Sequence, residues 1–284
     1  MYVRLLKNED YDLCMRYLSP HQEYCMFMCS NLHAAGIEYS GESYSGEYFG
    51  VFSPDLVGVV VHYWNGNIMM YCDSIIALNF ILEHVRGLFS RPIGGILGPD
   101  EQVRVTLEKF ELLSRDFRCN RCEGLYALNL ESFTYPPLAD NLKIVPAQLM
   151  DYHLLIEWMV DYQIEALGAT RTATLRNEVE EQWKLRLEKK DSWILYSDDY
   201  PVAVSGFNAR IPGLVQVGPV YTPPAYRNQK FARILLAETL KIEKEHHTKA
   251  AILFTDNPAA ARAYLSLGFE QIGLYRLAIL QNSV

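Results

Sequence analysis

Residues 217–236 form a segment in which backbone amides could bind an anion. The stretch reads VGPVYTPPAYRNQKFARILL, so an apolar strand enters a short loop and leaves it as a helix. The first amides of a helix have no partner inside the helix, and they lie at the positive end of its dipole. This junction is therefore predicted to cradle an anion, and a pyrophosphate suits it.

A second helix start follows in the segment TDNPAAARAYLSLGF at 255–269. Asn257 can cap a helix, Pro258 fits its first turn, and Gly268 can end it. Each of these features alone is common at helix ends. Their order after the first segment, separated from it by a helix and an apolar strand at 250–254, makes the combination more specific.

Together the two segments resemble the GNAT superfamily of N-acetyltransferases. The first is similar to its motif A, V-x-P-x-x-[QR]-x-x-G-x-[GA], whose defined positions here hold Thr222, Pro224, Arg227, Lys230 and Ala232. The second is similar to the helix N-x-x-A-x-x-x-Y-x-x-x-G-F that begins at 257. The phrases VYTPPAYR and LFTDNP resemble a predicted-acetyltransferase group, a tandem form with a degenerate first GNAT-like domain. This closer resemblance covers 142–280 and is faint over 1–131, where IGGILGP supports it.

The resemblance implies an α+β fold of two GNAT-like domains, each with a mixed, mostly antiparallel sheet flanked by helices. It implies acetyl-CoA as co-substrate, no metal, and backbone amides near 220–222 as donors to the developing oxyanion. It assigns coenzyme A contacts to Val220, Tyr221, Thr222, Arg227, Asn228, Gln229, Lys230, Phe231, Ala232, Arg233, Asn257 and Ala261.

Lys230 departs from the family pattern, because it occupies the position of a glycine. Glycine is used where the backbone needs a positive φ or approaches a ligand closely, so a lysine could obstruct the cradle. It could equally add a cation that faces the phosphates. We expect coenzyme A binding to survive, since Arg227, Ala232 and the strand, loop and helix remain.

Two side chains are candidates for proton transfer. The resemblance assigns Tyr264 as the acid that protonates the departing thiolate, and a phenol with a pKa of about 10 can do so at neutral pH. The alternative for Tyr264 is a core tyrosine. Glu165 is the carboxylate chosen as the base, since its helix borders acceptor sites in the family fold. The alternative for Glu165 is a solvated helix residue.

Periodicity predicts the elements that position these residues. From 142 onward the order is strand, two helices, three strands, helix, strand, helix and two strands, the last two at 269–272 and 274–280. Thr174 is expected to contribute to the cap of a helix at 172–189, and Asp100 to cap one at 101–110. Gly218 and Pro219 are predicted to form a bulge in the central strand. The first half follows a fainter version of this order.

Paired prolines at 136 and 137 predict a linker at 132–141, between a degenerate domain at 1–131 and an acetyltransferase domain at 142–284. The formal charge of -8 and the absence of a long basic run argue against nucleic acid as a partner. No apolar run approaches the roughly 18 residues that span a bilayer, so no membrane partner is expected.

The 6 cysteines all lie in the first half and suggest no disulfide framework, which fits a reducing cytoplasm. Cys119 and Cys122 are either unpaired thiols in a strand or turn or half of a zinc site that lacks its other ligands.

The sequence thus predicts an acyl-CoA-dependent N-acetyltransferase that moves an acetyl or other short acyl group to a primary amine on a small molecule or a protein. Lys230 and the weakly assigned base leave open a second class, a non-catalytic acyl-CoA-binding or interaction protein. A third possibility is that the first domain recognises a protein or metabolite acceptor. The identity of the acceptor does not follow from the residues.

Overall fold

The computed structural model describes residues Met1–Val284, with the side chain of Leu167 outside that description. The chain forms two compact units. The first unit contains Met1–Leu125 and Ile272–Val284, and the second contains Tyr126–Gln271. Each unit combines helices with a mixed sheet, so the predicted α+β class is confirmed.

Strands and helices alternate in a similar order in the two halves of the chain. The first half contains β1 (Tyr2–Leu5), α1 (Tyr11–Leu18), α2 (Gln22–Ala35), β2 (Gly46–Phe52), β3 (Leu56–Tyr63), β4 (Asn67–Cys72), α3 (Ile75–Val85), β5 (Gly95–Pro99), α4 (Asp100–Lys109) and β6 (Phe117–Asn129). The second half contains β7 (Leu142–Pro146), α5 (Tyr152–Leu167), α6 (Ala173–Lys189), β8 (Ser192–Ser197), β9 (Tyr200–Ile211), β10 (Leu214–Tyr221), α7 (Phe231–Glu245), β11 (Ala250–Thr255), α8 (Pro258–Leu265) and β12 (Glu270–Leu280).

In the first unit, neighbouring strands follow the order β1-β2-β3-β4-β5-β12. Only β4 and β5 are parallel among these neighbours. The connection between them is α3, whose buried Leu78 and Leu82 belong to one core cluster with Ile68 and Ile96 of the two strands. A parallel pair needs such a crossover, and its helix then covers one face of the sheet.

In the second unit the order is β11-β10-β9-β8-β7, and only β10 and β11 are parallel. Alternate residues of β8 point to opposite faces of the sheet, as the strand period of two requires. Trp193 and Leu195 belong to the core cluster covered by α7, whereas Ile194 belongs to the cluster of α5 and α6. The sheet therefore separates α7 from the α5 and α6 pair.

Two predicted helix caps differ from the structure. Thr172, not Thr174, caps α6, because Thr172 has extended backbone and its hydroxyl accepts a hydrogen bond from the Leu175 amide at 3.1 Å. Asp100 is the first residue of α4 and does not cap it. Its carboxylate instead accepts from Arg276 Nε at 2.6 Å.

The strand predictions differ at the end of each half. β6 was not predicted, and Cys119 and Cys122 lie within it as half-buried residues outside any disulfide. Among the described residues, no cluster of His, Cys, Asp or Glu is arranged to hold a metal ion. β12 is one continuous strand, where two were predicted. Gly273 lies within β12 and does not form a turn. A Cβ at this position would lie 1.7 Å from the Tyr24 hydroxyl oxygen, so the glycine permits the close approach of Tyr24.

The compact units do not follow the expected domain boundaries. The expected linker at 132–141 falls inside the second unit, and residues 272–284 are part of the first. The linker segment is held by side chains of α7, since Lys244 Nζ donates to the Glu131 and Phe133 carbonyls and Lys241 Nζ donates to the Pro136 carbonyl.

Candidate functional site

The ends of β10 and β11 separate from each other. Parallel pairing joins them from Leu214 opposite Ala250 to Gln216 opposite Ile252. Both strands continue beyond these pairs, β10 to Tyr221 and β11 to Thr255. On its other side β10 stays paired with β9, but the register shifts between Gln216 and Val220. The predicted bulge at Gly218 and Pro219 is therefore present, and the strand end is open on the β11 side.

Arg186 of α6 satisfies the carbonyl groups at this bulge. Its Nη1 donates to the Phe207 carbonyl at 2.8 Å and to the Gly218 carbonyl at 3.1 Å. Its Nη2 donates to Asn208 Oδ1 at 2.6 Å. A guanidinium group offers several donors in a fixed plane, which suits carbonyls that a shifted ladder leaves without their usual partners. Arg186 was not predicted as a site residue.

We call residues 222–233, the loop after β10 and the first turn of α7, the cradle. Asn228 and Lys230 both have left-handed backbone in this loop, with φ of 63° and 67°. Lys230 thus adopts the conformation for which the family uses glycine, and it forms the N-cap of α7 without a side-chain cap bond. The lysine therefore leaves the loop conformation in place, and the first amides of α7 are not covered by a capping side chain.

Two buried polar atoms in the cradle have no hydrogen-bond partner within the described part of the chain. They are Thr222 Oγ1 and Arg233 Nε. Buried polar groups almost always find a partner, so these two unpaired atoms, together with the uncapped start of α7, are compatible with a ligand that brings acceptor oxygens. The residues present therefore fit a pyrophosphate, as coenzyme A would supply.

The second predicted segment forms α8. Asn257 caps the helix, and its Oδ1 accepts from the Ala259 and Ala260 amides at 2.8 and 3.3 Å. Tyr264 is half-buried and its ring centroid lies 6.0 Å from that of Phe269. Ala261 and Tyr264 pack against the same core cluster as Val220. The start of α7 also contacts the end of α8, because Arg233 Nη1 donates to Ser266 Oγ at 3.1 Å.

Glu165 and Arg227, which the sequence assigned to different tasks, form an ion pair in the structure. Arg227 Nε also donates to the Thr222 carbonyl at 3.0 Å, so the guanidinium group lies along the start of the cradle. The Tyr221 hydroxyl donates to the second carboxylate oxygen of Glu165 at 3.4 Å. Burial, with the negative charge of Glu165 as a smaller cause, raises the pKa of Tyr221 to about 12. Tyr221 is thus a neutral donor at neutral pH.

The first unit has a matching strand pair whose end is closed. β4 and β5 pair from Asn67 opposite Gly95 to Met69 opposite Leu97. Beyond these pairs, the Gln102 side chain accepts from the Cys72 amide at 3.0 Å and donates to the Cys72 carbonyl at 2.9 Å. A side-chain amide therefore takes the backbone partners that an added strand or ligand would use.

The N-terminus of the helix that follows β4 is capped. Ser74 caps α3, and its hydroxyl accepts from the Ala77 amide at 3.2 Å. The loop before α3 consists of Asp73 and Ser74 alone, with no equivalent of residues 222–230. The two units thus share an order of elements but differ at the place where a ligand could enter.

The acetyltransferase (GNAT) family model matches residues 153–269, inside the second unit. Residues 153–269 are a GNAT domain. The match includes α5 to α8, and therefore the cradle, Glu165 and Tyr264. No curated protein matches the chain. No described helix combines the length and apolar composition needed to cross a membrane.

Solved structures similar to the chain extend the GNAT fold over both units. A protein from Drosophila is 13% identical with a TM-score of 0.65, and the match covers 99% of each chain. A GNAT-family acetyltransferase from Colwellia psychrerythraea is 13% identical with a TM-score of 0.54, covering 98% of this chain and 100% of its own. A tandem GNAT protein from the clavulanic acid biosynthesis pathway is 10% identical with a TM-score of 0.56, covering 100% of this chain and 99% of its own. At such low identity the likeness concerns the fold alone.

The GNAT domain thus brings some predicted site residues into contact and leaves others apart. Glu165, Tyr221, Thr222 and Arg227 form one connected group. Arg233 joins the cradle to the end of α8, while Asn257 serves as a helix cap. Arg186 and Gln102 were missed because no local motif marks them, and their partners lie far along the chain in β9, β10 and β4.

Proposed function

We propose that the chain is an acyl-CoA-dependent N-acetyltransferase that acts on a primary amine and binds coenzyme A in the second unit. The observation that carries this proposal is the open end of β10 and β11 beside the uncapped start of α7. Acetyl-CoA, when bound, would supply the acyl group as a thioester. None of the six cysteines is in a disulfide in the described part of the chain, and this supports a reducing cytoplasm as the proposed compartment.

The cradle is proposed to hold the pyrophosphate. The amides of Asn228, Gln229, Lys230, Phe231, Ala232 and Arg233 lie in the loop and first turn, where the helix dipole favours an anion. Thr222 Oγ1 and Arg233 Nε are buried donors without partners within the described residues, and Arg227 adds a cation. Asn257 and Ala261, at the start of α8, are proposed to border the coenzyme A arm.

The strand end is proposed to hold the reacting group. Val220 and Tyr221 continue β10 past its last pair with β11, so their backbone groups can pair with an extended ligand arm as an added strand. An amide near 220–222 is the proposed donor to the developing oxyanion, and Arg186 fixes the bulge that aims it.

Proton transfer is assigned to two side chains. Tyr264 is proposed to donate its hydroxyl proton to the departing sulfur, and Glu165 is proposed to accept the proton that the amine loses as its nitrogen bonds to the acyl carbon. The Tyr264→Phe variant should lower kcat by about 100-fold, at the low end of general acid catalysis. Unchanged kcat and unchanged alkaline pH dependence in this variant would remove Tyr264 from the mechanism.

A second candidate function is acyl-CoA binding without transfer. It is favoured by the ion pair that occupies the Glu165 carboxylate. The deciding experiment measures thiol release from acetyl-CoA over a panel of small amines and lysine peptides, with coenzyme A binding followed by calorimetry. Turnover with any member supports the transferase, whereas binding without turnover across the panel supports the second candidate. If coenzyme A does not bind at all, both are wrong.

A further inference from the structure

The ion pair between Glu165 and Arg227 joins the two sides of the candidate site. Arg227 lies in the loop of the cradle, and Glu165 is near the end of α5. Both side chains are 42% exposed, so water and ligands can reach the pair. An exposed ion pair is weak, and a phosphate group is a stronger partner for arginine than such a carboxylate.

Glu165 has a second hydrogen-bond partner that stays in place when Arg227 is removed. The Tyr221 hydroxyl donates to its other carboxylate oxygen at 3.4 Å, and Tyr221 is a buried residue at the end of β10. Glu165 would therefore keep its position beside the strand end without Arg227. The oxygen released by Arg227 would then accept hydrogen bonds from another cation.

We propose that Arg227 and Glu165 exchange partners on ligand binding. Arg227 pairs with Glu165 in the ligand-free chain and with the pyrophosphate of coenzyme A in the complex, which frees the Glu165 carboxylate to bind the ammonium group of a cationic acceptor. Glu165 therefore competes with the pyrophosphate for Arg227. It is also the residue that determines specificity for a positively charged amine. This inference rests on the proposed function, and it names the charge of the acceptor.

The first test is the binding of coenzyme A to the full chain by calorimetry at low salt. The Glu165→Gln variant removes the competitor, so its dissociation constant should fall by up to about fivefold relative to the parent chain. In an Arg227→Gln background the same change should have no effect, because Glu165 acts on coenzyme A binding only by competing for Arg227.

Asp161→Asn is the matched control, since Asp161 is one turn earlier on the same helix and pairs with Arg171. It removes the same charge near the cradle but leaves Arg227 paired. Coenzyme A affinity should therefore change much less than in Glu165→Gln. An equal gain in both variants would show that net charge is the cause and would overturn the exchange.

The second test uses 2-phenylethylammonium as a cationic probe, with its neutral analogue 2-phenylethanol as comparison. Coenzyme A should tighten binding of the ammonium probe by up to about fivefold, by linkage, and leave the alcohol unaffected. Glu165→Gln should abolish this coupling. If coenzyme A binds the parent chain but neither effect appears, the exchange is wrong while the proposed function stands. If coenzyme A does not bind the parent chain, the proposed function itself fails.

Discussion

In the first unit β4 reaches α3 through Asp73 and Ser74, whereas in the second unit β10 reaches α7 through residues 222–230. The short connection leaves a regular ladder, a capped helix and a strand end that Gln102 bridges. The long connection follows a bulge and leads to an uncapped helix. One arrangement of strands and helices therefore occurs once with a closed strand end and once with an open one. The difference lies in which backbone groups already have partners.

This comparison predicts one coenzyme A site per chain, and a carboxylate placed at the same helix position in each unit tests it. Ala232 and Ile76 are both the second residue of their helices, α7 and α3. Ala232→Asp should weaken coenzyme A binding by about 100-fold, or about 2.7 kcal/mol, because it sets a negative charge against the phosphates. Ile76→Asp should leave the affinity unchanged, since Ile76 is 71% exposed beside a closed strand end.

Calorimetry gives the coenzyme A affinity of the Ala232→Asp and Ile76→Asp variants. Equal losses from the two substitutions would mean that the first unit also takes part in binding. A loss from neither would place the site elsewhere in the chain.

The next largest effect is expected from removing Arg186, the side chain that donates to the carbonyls at the bulge. Arg186→Ala leaves the Phe207 and Gly218 carbonyls without their charged donor, which should cost about 2–3 kcal/mol in the free energy of unfolding and lower kcat. Arg176→Ala, on the same helix, removes only exposed ion pairs and should cost much less than Arg186→Ala. Urea denaturation gives both values. Recovery of kcat by added guanidinium ion would separate positioning of the bulge from a purely structural role.

Gln102 is the corresponding test in the first unit. Gln102→Ala leaves the buried Cys72 amide and carbonyl unpaired, so we expect a loss of about 1–2 kcal/mol and faster hydrogen exchange at the Cys72 amide. Glu101→Ala, its exposed neighbour, should change stability by less than about 0.5 kcal/mol. Coenzyme A stoichiometry should stay at about one per chain. A stoichiometry near two would mean that Gln102 alone keeps the first unit closed.

The smallest effect concerns the lysine that replaces the family's glycine. Lys230→Gly should stabilise the chain by up to about 1 kcal/mol, because glycine adopts a positive φ without strain. Lys190, at the end of α6, has φ of 56°, so the Lys190→Gly variant should gain a similar amount of stability. Only Lys230→Gly should weaken coenzyme A binding, by a few fold, through loss of a cation. Tighter binding would instead support the obstruction interpretation.

Local signals were sufficient for much of the fold and for the cradle. The strand, loop and helix order at 217–236, the Asn257 cap and the bulge at Gly218 and Pro219 depend on residues close together in the chain, and all three are present. The helix cap of α6 was predicted wrongly, at Thr174 and not at Thr172. Both residues are threonines two positions apart, and local sequence does not distinguish which of them precedes the first helical turn. β6 escaped prediction because several polar residues interrupt its apolar pattern.

The sequence by itself determined the class of fold and the GNAT match at 153–269, and it predicted an anion-binding segment at 217–236, because these follow from the order and spacing of nearby residues. Tertiary structure alone decided that Arg227 pairs with Glu165, that Arg186 satisfies the bulge, and that Gln102 closes the first unit. In each case the partners are far apart in sequence. Whether a buried or strand-end polar group finds a partner depends on how the whole chain packs. This packing therefore determines which of the two parallel strand pairs has an open end.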